Sequence, residues 1–376
     1  MAHVLLDEGG SEASDYEGKN VYFDERQPES IRRAHPDGRP GEKDDLAAPL
    51  AWMSGVRVIT GEDSFLPIRT TSLVVDAAAD FDLYTCPNEN AAPVLYRERS
   101  VPFTAEDRDR LEESGVVDLF VTVKDETKFW HYIESNLRDI LRDKAMANEE
   151  KASLAYHCSQ CVVTDLFDDP RSSVSIDRSK TLVKNMAEFL LQDESSLSNL
   201  MRMMSFDNYT YTHSVNVCIF SLAMAQFRGI KNIRALCELG EGALLHDIGK
   251  SQLDPELVAF DGTYTEEQHE EMKAHTVLGY ELLEALGRFS PITLSIVRSH
   301  HERFDGTGYP DGLEGDGINH FVRICAITEL FDSLTSQRPY KEAAKSFNAL
   351  KLMRDEIPNG IDLHYFESFV KMLGDA

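Results

Sequence analysis

The chain has 376 residues, 42% of them hydrophobic, and a formal net charge of −27. That length allows two or three domains with a substantial core. The acidity argues against polymeric nucleic acid as a partner, since phosphate-backbone binding needs Lys and Arg, and no apolar run is long enough to predict membrane insertion.

The first residues, "MAHVLLDEGGSEASDYEG", lack the basic start and apolar stretch of a secretory signal, so a cytoplasmic location is expected. Residues 1–46 are rich in Gly, Pro, Glu and Asp and read as an acidic, mobile tail. From about Ala47 the texture changes. "VRVIT", "FLPI", "SLVVD", "FDLYT", "PVLYRE" and "VDLFVTV" are short β-type runs between turn formers. One helix, "FTAEDRDRLEESG", sits among them, with Thr104 as N-cap and Gly115 as its stop. Residues 47–123 therefore read as a small α+β domain, and the absence of a catalytic cluster there points to a regulatory or docking role.

Residues 124–170 read as a helical connector, which either carries a signal, pairs with a second copy to form a homodimer, or simply packs on the next domain. "FDDPRSS" interrupts the helical pattern, and a second run continues through "KTLVKNMAEFLLQDESSLSNLMRMM". Residues 171–376 read as an all-α domain, with helices predicted near 209–228, 232–247, 265–286, 290–301, 319–335 and 346–355. "TEEQ" at Thr265–Gln268 is a capping-box pattern, and "SPIT" puts Ser290 at an N-cap with Pro291 at the first helical position. Six cysteines are present, and only Cys158 and Cys161 in "HCSQC" have a metal-like or redox-like spacing. A single C-x-x-C is a weak signal, and all six are expected to be reduced.

The helical half concentrates metal-capable side chains: His213, His246, Asp247, His275, His300, His301, Glu329 and Asp332. "ALLHDIGK" places a His and a carboxylate at the end of a strongly apolar helix, where burial is costly without partners. A divalent metal supplies such partners. One His on an apolar helix is usually a core residue; five with an Asp favour a site. Adjacent residues on a helix point about 100° apart, so His300 and His301 in "IVRSHHERFDGTGYP" cannot both face one core.

"HDIGK" together with "HHERFDGTGYP" resembles the HD-GYP phosphodiesterases, a branch of the HD metal-dependent phosphohydrolases. The resemblance runs from Asp207 to Lys341. It implies an all-α HD-GYP bundle behind the α+β domain, and hydrolysis of cyclic di-GMP to pGpG by a hydroxide bridging two divalent ions, with a second step to GMP left open. Iron or manganese is the expected metal, with nickel or zinc as alternatives. The resemblance assigns His213, His246 and Asp247 to one metal and His275, His300 and His301 to the other, with Asp247 bridging. Glu329 stands where the family usually has its last carboxylate ligand, the first Asp of D-x-x-D, and is implied to ligate a metal, with Asp332 as the second acidic residue of that pair. Tyr209 replaces the Glu that accompanies a third metal, which favours a binuclear site. Lys250 is implied to orient the nucleophile or a phosphate oxygen; as a bare residue it is an ordinary helix-end lysine. Gly308 and Tyr309 are implied ligand contacts, and Arg338 and Lys341 in "RPYK" a phosphate-binding pair. A non-hydrolysing cyclic dinucleotide sensor and a hydrolase of a related cyclic dinucleotide remain the alternatives.

Overall fold

The computed structural model describes residues 57–58, 64–86, 92–193, 195–204, 210–260, 262, 264–336 and 346–375. Five short strands make one sheet: β1 (Arg57–Val58), β2 (Ser64–Arg69), β3 (Leu83–Thr85), β4 (Val94–Arg97) and β5 (Asp118–Thr122). Their order is β1-β2-β5-β3-β4, and every pairing is antiparallel. Helix α1 (Ala105–Glu113) starts at Thr104, whose hydroxyl accepts from the Asp107 N–H while Asp107 reaches back to the Thr104 N–H. Gly115, at φ +68°, follows its end.

"SLVVD" is not a strand. Thr70–Ser72 form a 3₁₀ turn, the Val74 N–H donates to the Tyr132 hydroxyl at 2.9 Å, and the Asp76 N–H donates to the Phe103 carbonyl at 2.7 Å. With the Val74 amide committed to α2 (Glu126–Arg142) and the Asp76 amide to the chain before α1, the segment cannot run as a regular ladder. The sheet meets α2 through Phe81, whose ring packs edge-on against Phe129 and Tyr132 at 5.9 and 5.6 Å.

The rest is helical. α3 (Asn148–Asp168) packs against α4 (Ser173–Gln192), α5 (Ser195–Met203) and α6 (Thr210–Phe227). Both long helical runs of this region break once, between Arg142 and Asn148 and between Gln192 and Ser195. α3 lies inside the bundle; from Lys151 to Gln160 every residue is buried. α6 is enclosed all round, with every residue from Ser214 to Ala225 buried, which is why its sequence shows no polar stripe. α7 (Ile233–Leu245) packs on α6, and α8 (Pro255–Val258) lies in the following long loop. The predicted helix 265–286 is two helices, α9 (Glu266–Lys273) and α10 (His275–Leu286). α11 (Pro291–Ser299) has the anticipated Ser290 cap, and α12 (His320–Thr335) and α13 (Ser346–Glu356) follow. α14 (Leu363–Asp375) was not anticipated; Phe369 on it meets Phe220 of α6 and Phe331 of α12, with ring centroids 5.1 to 5.8 Å apart. No described helix is long and apolar enough to cross a membrane.

Candidate metal centre

Five elements deliver the site. α6 carries His213; His246 and Asp247 follow the last residue of α7; His275 opens α10; His300 and His301 follow α11; α12 carries Glu329 and Asp332. The turn after Asp247 comes down on α10 so closely that a Cβ at Gly249 would lie 1.9 Å from the His275 carbonyl oxygen and 2.5 Å from the Gly279 nitrogen. Only glycine permits that approach. It is this contact that holds Asp247 against His275.

Each of four imidazoles has its Nδ1 turned away from the centre. His246 Nδ1 donates to the Ala243 carbonyl at 2.8 Å, His275 Nδ1 to Met272 at 2.7 Å and His300 Nδ1 to Val297 at 3.0 Å. His213 Nδ1 donates to Asp332 Oδ2 at 2.7 Å. These acceptors can only accept, so Nδ1 carries the proton and the Nε2 lone pair faces inward. The inward nitrogens converge on Asp247. Its Oδ2 lies 3.3 Å from His246 Nε2 and 4.0 Å from His213 Nε2; its Oδ1 lies 3.4 Å from His275 Nε2 and 3.9 Å from His300 Nε2.

That donor set fits metal ions. Nε2 of His275 and of His300 stand 3.2 Å apart, and two inward lone pairs at that range repel unless a cation lies between them. His246 Nε2 is buried without a hydrogen-bond partner. Ligand atoms of His213, His246 and Asp247 fall within 4.8 Å of one another, as do those of His275, His300 and His301. Asp247 sends one oxygen toward each group, so two adjacent cation positions share it. Imidazole and carboxylate suit several first-row divalent ions.

The electrostatics follow the packing. Burial works to raise the Asp247 pKa, but His246, Lys250 and His275 override it and hold the carboxyl well below its ordinary value. Burial lowers the His300 pKa well below the usual imidazole range, reinforced by His301, His246 and His275. For His213 burial also opposes protonation, yet the Asp332 hydrogen bond and charge outweigh it and the pKa is raised.

Around this centre, Lys250 Nζ bonds Asp247 Oδ2 at 2.9 Å. Glu329 is buried, its Oε1 accepts from Ser333 Oγ at 2.9 Å, and it belongs to neither ligand group. The carboxylate that reaches His213 is Asp332, which also accepts from Asn216 Nδ2 at 2.9 Å and Ser336 Oγ at 3.2 Å. Asn216 in turn accepts from the Tyr156 hydroxyl of α3 at 2.9 Å. The Tyr309 ring stacks on His301 at 4.7 Å and 21°, and Lys273 Nζ lies 5.6 Å from that ring's centroid. At Gly308 a Cβ would sit 2.3 Å from the Arg303 nitrogen, so the loop folds back onto its own start. Arg338, Lys341 and Tyr209 lie outside the described residues.

Glu302 went unnoticed in the sequence. It is buried, and its two oxygens accept from the Asp311 and Leu313 N–H groups at 2.7 and 2.9 Å, pinning the Gly-Tyr-Pro loop. Its partners are backbone amides, which leave no side-chain signature to read. Asn216, Tyr156 and Gly249 were missed for a related reason: their roles exist only across helix contacts.

Residues 223–363 match the family model described as HD domain. The chain is thus similar to the HD domain family over that stretch. It is 32% identical over 231 residues to "Cyclic di-GMP phosphodiesterase PA4108" of Pseudomonas aeruginosa, covering 60% of this chain and 55% of that protein. Over 102 residues it is 46% identical to "Cyclic di-GMP phosphodiesterase response regulator RpfG" of Xanthomonas campestris, 27% of either chain. A third relative, "3'3'-cGAMP-specific phosphodiesterase 3" of Vibrio cholerae, is 32% identical over 165 residues, 44% of this chain and 35% of that one. The chain thus spans about half or less of the length of these relatives. The fold matches Bd1817, a HDG"Y"P protein from Bdellovibrio bacteriovorus, with TM-score 0.57 and 21% identity, over 82% of this chain and 99% of that one. The stretch that matches the family model holds His246, Asp247, His275, His300, His301, Glu329 and Asp332, while His213 precedes it.

Proposed function

We propose that this chain is a metal-dependent phosphodiesterase that hydrolyses cyclic di-GMP to pGpG, acting in the cytoplasm. The observation that carries the reading is the convergence of inward Nε2 lone pairs on both oxygens of one buried aspartate. His213, His246 and Asp247 would hold one divalent ion, iron or manganese in our reading, and His275, His300 and His301 the second. Ions held by these residues would acidify water and neutralise charge on a phosphodiester. Asp247, kept ionised by its neighbours, holds the two positions at fixed spacing. Lys250 pins one oxygen of Asp247 and adds positive charge beside it. Tyr309, stacked on His301, offers a ring face and hydroxyl at the edge of the second position. We assign phosphate binding to Arg338 and Lys341, and Glu329 to the outer coordination of the His213 position.

The test is incubation of anaerobically metal-loaded protein with cyclic di-GMP and chromatography of the products. Conversion to pGpG that Asp247→Ala abolishes is the expected result. Absence of turnover with iron, manganese and nickel alike, alongside tight binding, establishes the sensor reading instead. Relatives named for 3'3'-cGAMP favour a second substrate reading, so the same assay carries that dinucleotide in parallel.

The division into 1–46, 47–123, 124–170 and 171–376, with the second regulatory, is part of the same reading. Homodimerisation through residues 124–170 is another part; a monomeric mass by light scattering at micromolar concentration removes it.

A further inference from the structure

A cleft of about 1000 Å³ opens between the link from α2 to α3, the end of α4 and the start of α7, and no residue of the metal centre lines it. In a chain of net charge −27, three cations meet there: Arg142, Lys144 and Lys151. Lys151 is the informative one. It is only 6% exposed, and no hydrogen bond or ion pair reaches its ammonium among the described residues. Its stem is buried while its ammonium lines the opening, and Asp193 of the same cleft feels its charge without closing an ion pair with it.

Two carboxylates line the same cleft, and both are engaged elsewhere. Glu188 Oε2 takes Arg142 at 2.9 Å and Arg138 at 3.7 Å. Asp193 accepts from the Ser195 N–H at 2.8 Å and from Asn148 Nδ2 at 3.1 Å. The first residue of α3, Asn148, and the first of α7, Ile233, both face the opening. α7 is capped by Asn232, whereas α3, 21 residues long, begins at Ala147 with no side-chain cap. Its first amides and the positive end of its dipole add to the lysine, against the two carboxylates of Glu149 and Glu150 in the same turn.

We propose that this cleft is a second, separate binding site, for a phosphate monoester. A dianion with three acceptor oxygens matches open helix amides plus several cations better than a carboxylate does. Lys151 and the start of α3 take the phosphate, Lys144 and Arg142 close over it, and Met146 and Ile233 offer apolar surface to the organic part. The inference does not rest on the reading of the metal centre.

The experiment is calorimetric titration of the full chain with inorganic phosphate and with AMP, in the wild type and in Asp247→Ala to silence phosphate binding by metals. Saturable phosphate binding that survives Asp247→Ala, and that Lys151→Met weakens by about tenfold or more, is expected. Lys144→Gln alters an exposed side chain without touching the core, so it supplies a folded comparison and is expected to weaken binding by a few-fold. Binding lost entirely in Asp247→Ala, or indifferent to both lysine substitutions, overturns the proposal. Equal competition by acetate overturns the assignment to a phosphate monoester.

Discussion

Asp332 is wholly buried and accepts from His213, Asn216 and Ser336 at once, which fixes the ring plane and tautomer of His213. Such outer partners set ligand orientation, and losing one typically costs ~10- to 100-fold in metal affinity. Asp332→Asn is expected to weaken metal binding by about that factor, read by competition with a graded chelator. The His275, His300 and His301 group should hold its ion in the same titration. Unchanged affinity at both positions would remove the orienting role. A second residue titrates far from the centre. His157 is buried against Trp130, ring centroids 3.7 Å apart, and burial lowers its pKa from 6.5 to about 4. On acidification the unfolded chain takes this proton first. Its contribution is therefore intact above pH 6.5 and is lost progressively as pH falls to about 4, in all about 3 kcal/mol. His157→Phe should flatten the acid side of the stability profile, by about 2 kcal/mol between about pH 7 and about pH 5. Parallel profiles for variant and wild type from denaturant titrations would refute the assignment.

Helices here are positioned by glycine contacts that no periodicity announces. Gly249 rests against the His275 carbonyl and the Gly279 amide, so any side chain must push the turn after Asp247 away from α10. Overpacking of this kind commonly costs ~1–3 kcal/mol. The more specific expectation for Gly249→Ala is loss of metal at both positions, since both oxygens of Asp247 move. Elemental analysis after anaerobic purification checks it, and a full metal complement would contradict it. The division of 265–286 into α9 and α10 has a related cause. α9 is a short, charged, largely exposed helix, while α10 must present His275 to Asp247 and Gly279 to Gly249. The capping box at Thr265 was legible because it is local; the break at Ala274 was not, because it answers to the turn after Asp247 that packs on α10.

Across the whole molecule, the centre ties α6, α7, α10, α11 and α12 together, so metal held there would act on folding as well as on chemistry. A ligand present at 100 times its dissociation constant stabilises the folded state by about 2.7 kcal/mol. Stripping the metals with a chelator should lower the melting temperature by several degrees, and Asp247→Ala should show no further drop. An identical melting curve with and without chelator would sink the two-ion reading of the cluster. The sheet joins the bundle through α2 and α3, and the relay from Tyr156 through Asn216 and Asp332 to His213 gives α3 a direct connection to the centre.

What the sequence determined by itself was local or compositional. Helix starts at Thr104, Thr265 and Ser290 follow from residues within one turn, and the types His246, Asp247, His275, His300 and His301 already point toward metal ligation rather than a plain core. What only the tertiary structure decided was which atoms meet. His213 and Asp332 are 119 positions apart, and whether their side chains touch depends on how α6 crosses α12. Likewise the inward turn of each Nε2, the sharing of Asp247, the pinning of the loop by Glu302 and the enclosure of α3 arise from packing between elements. Backbone periodicity acts over a few residues and is written in order along the chain; close packing acts between surfaces that the linear order does not place side by side.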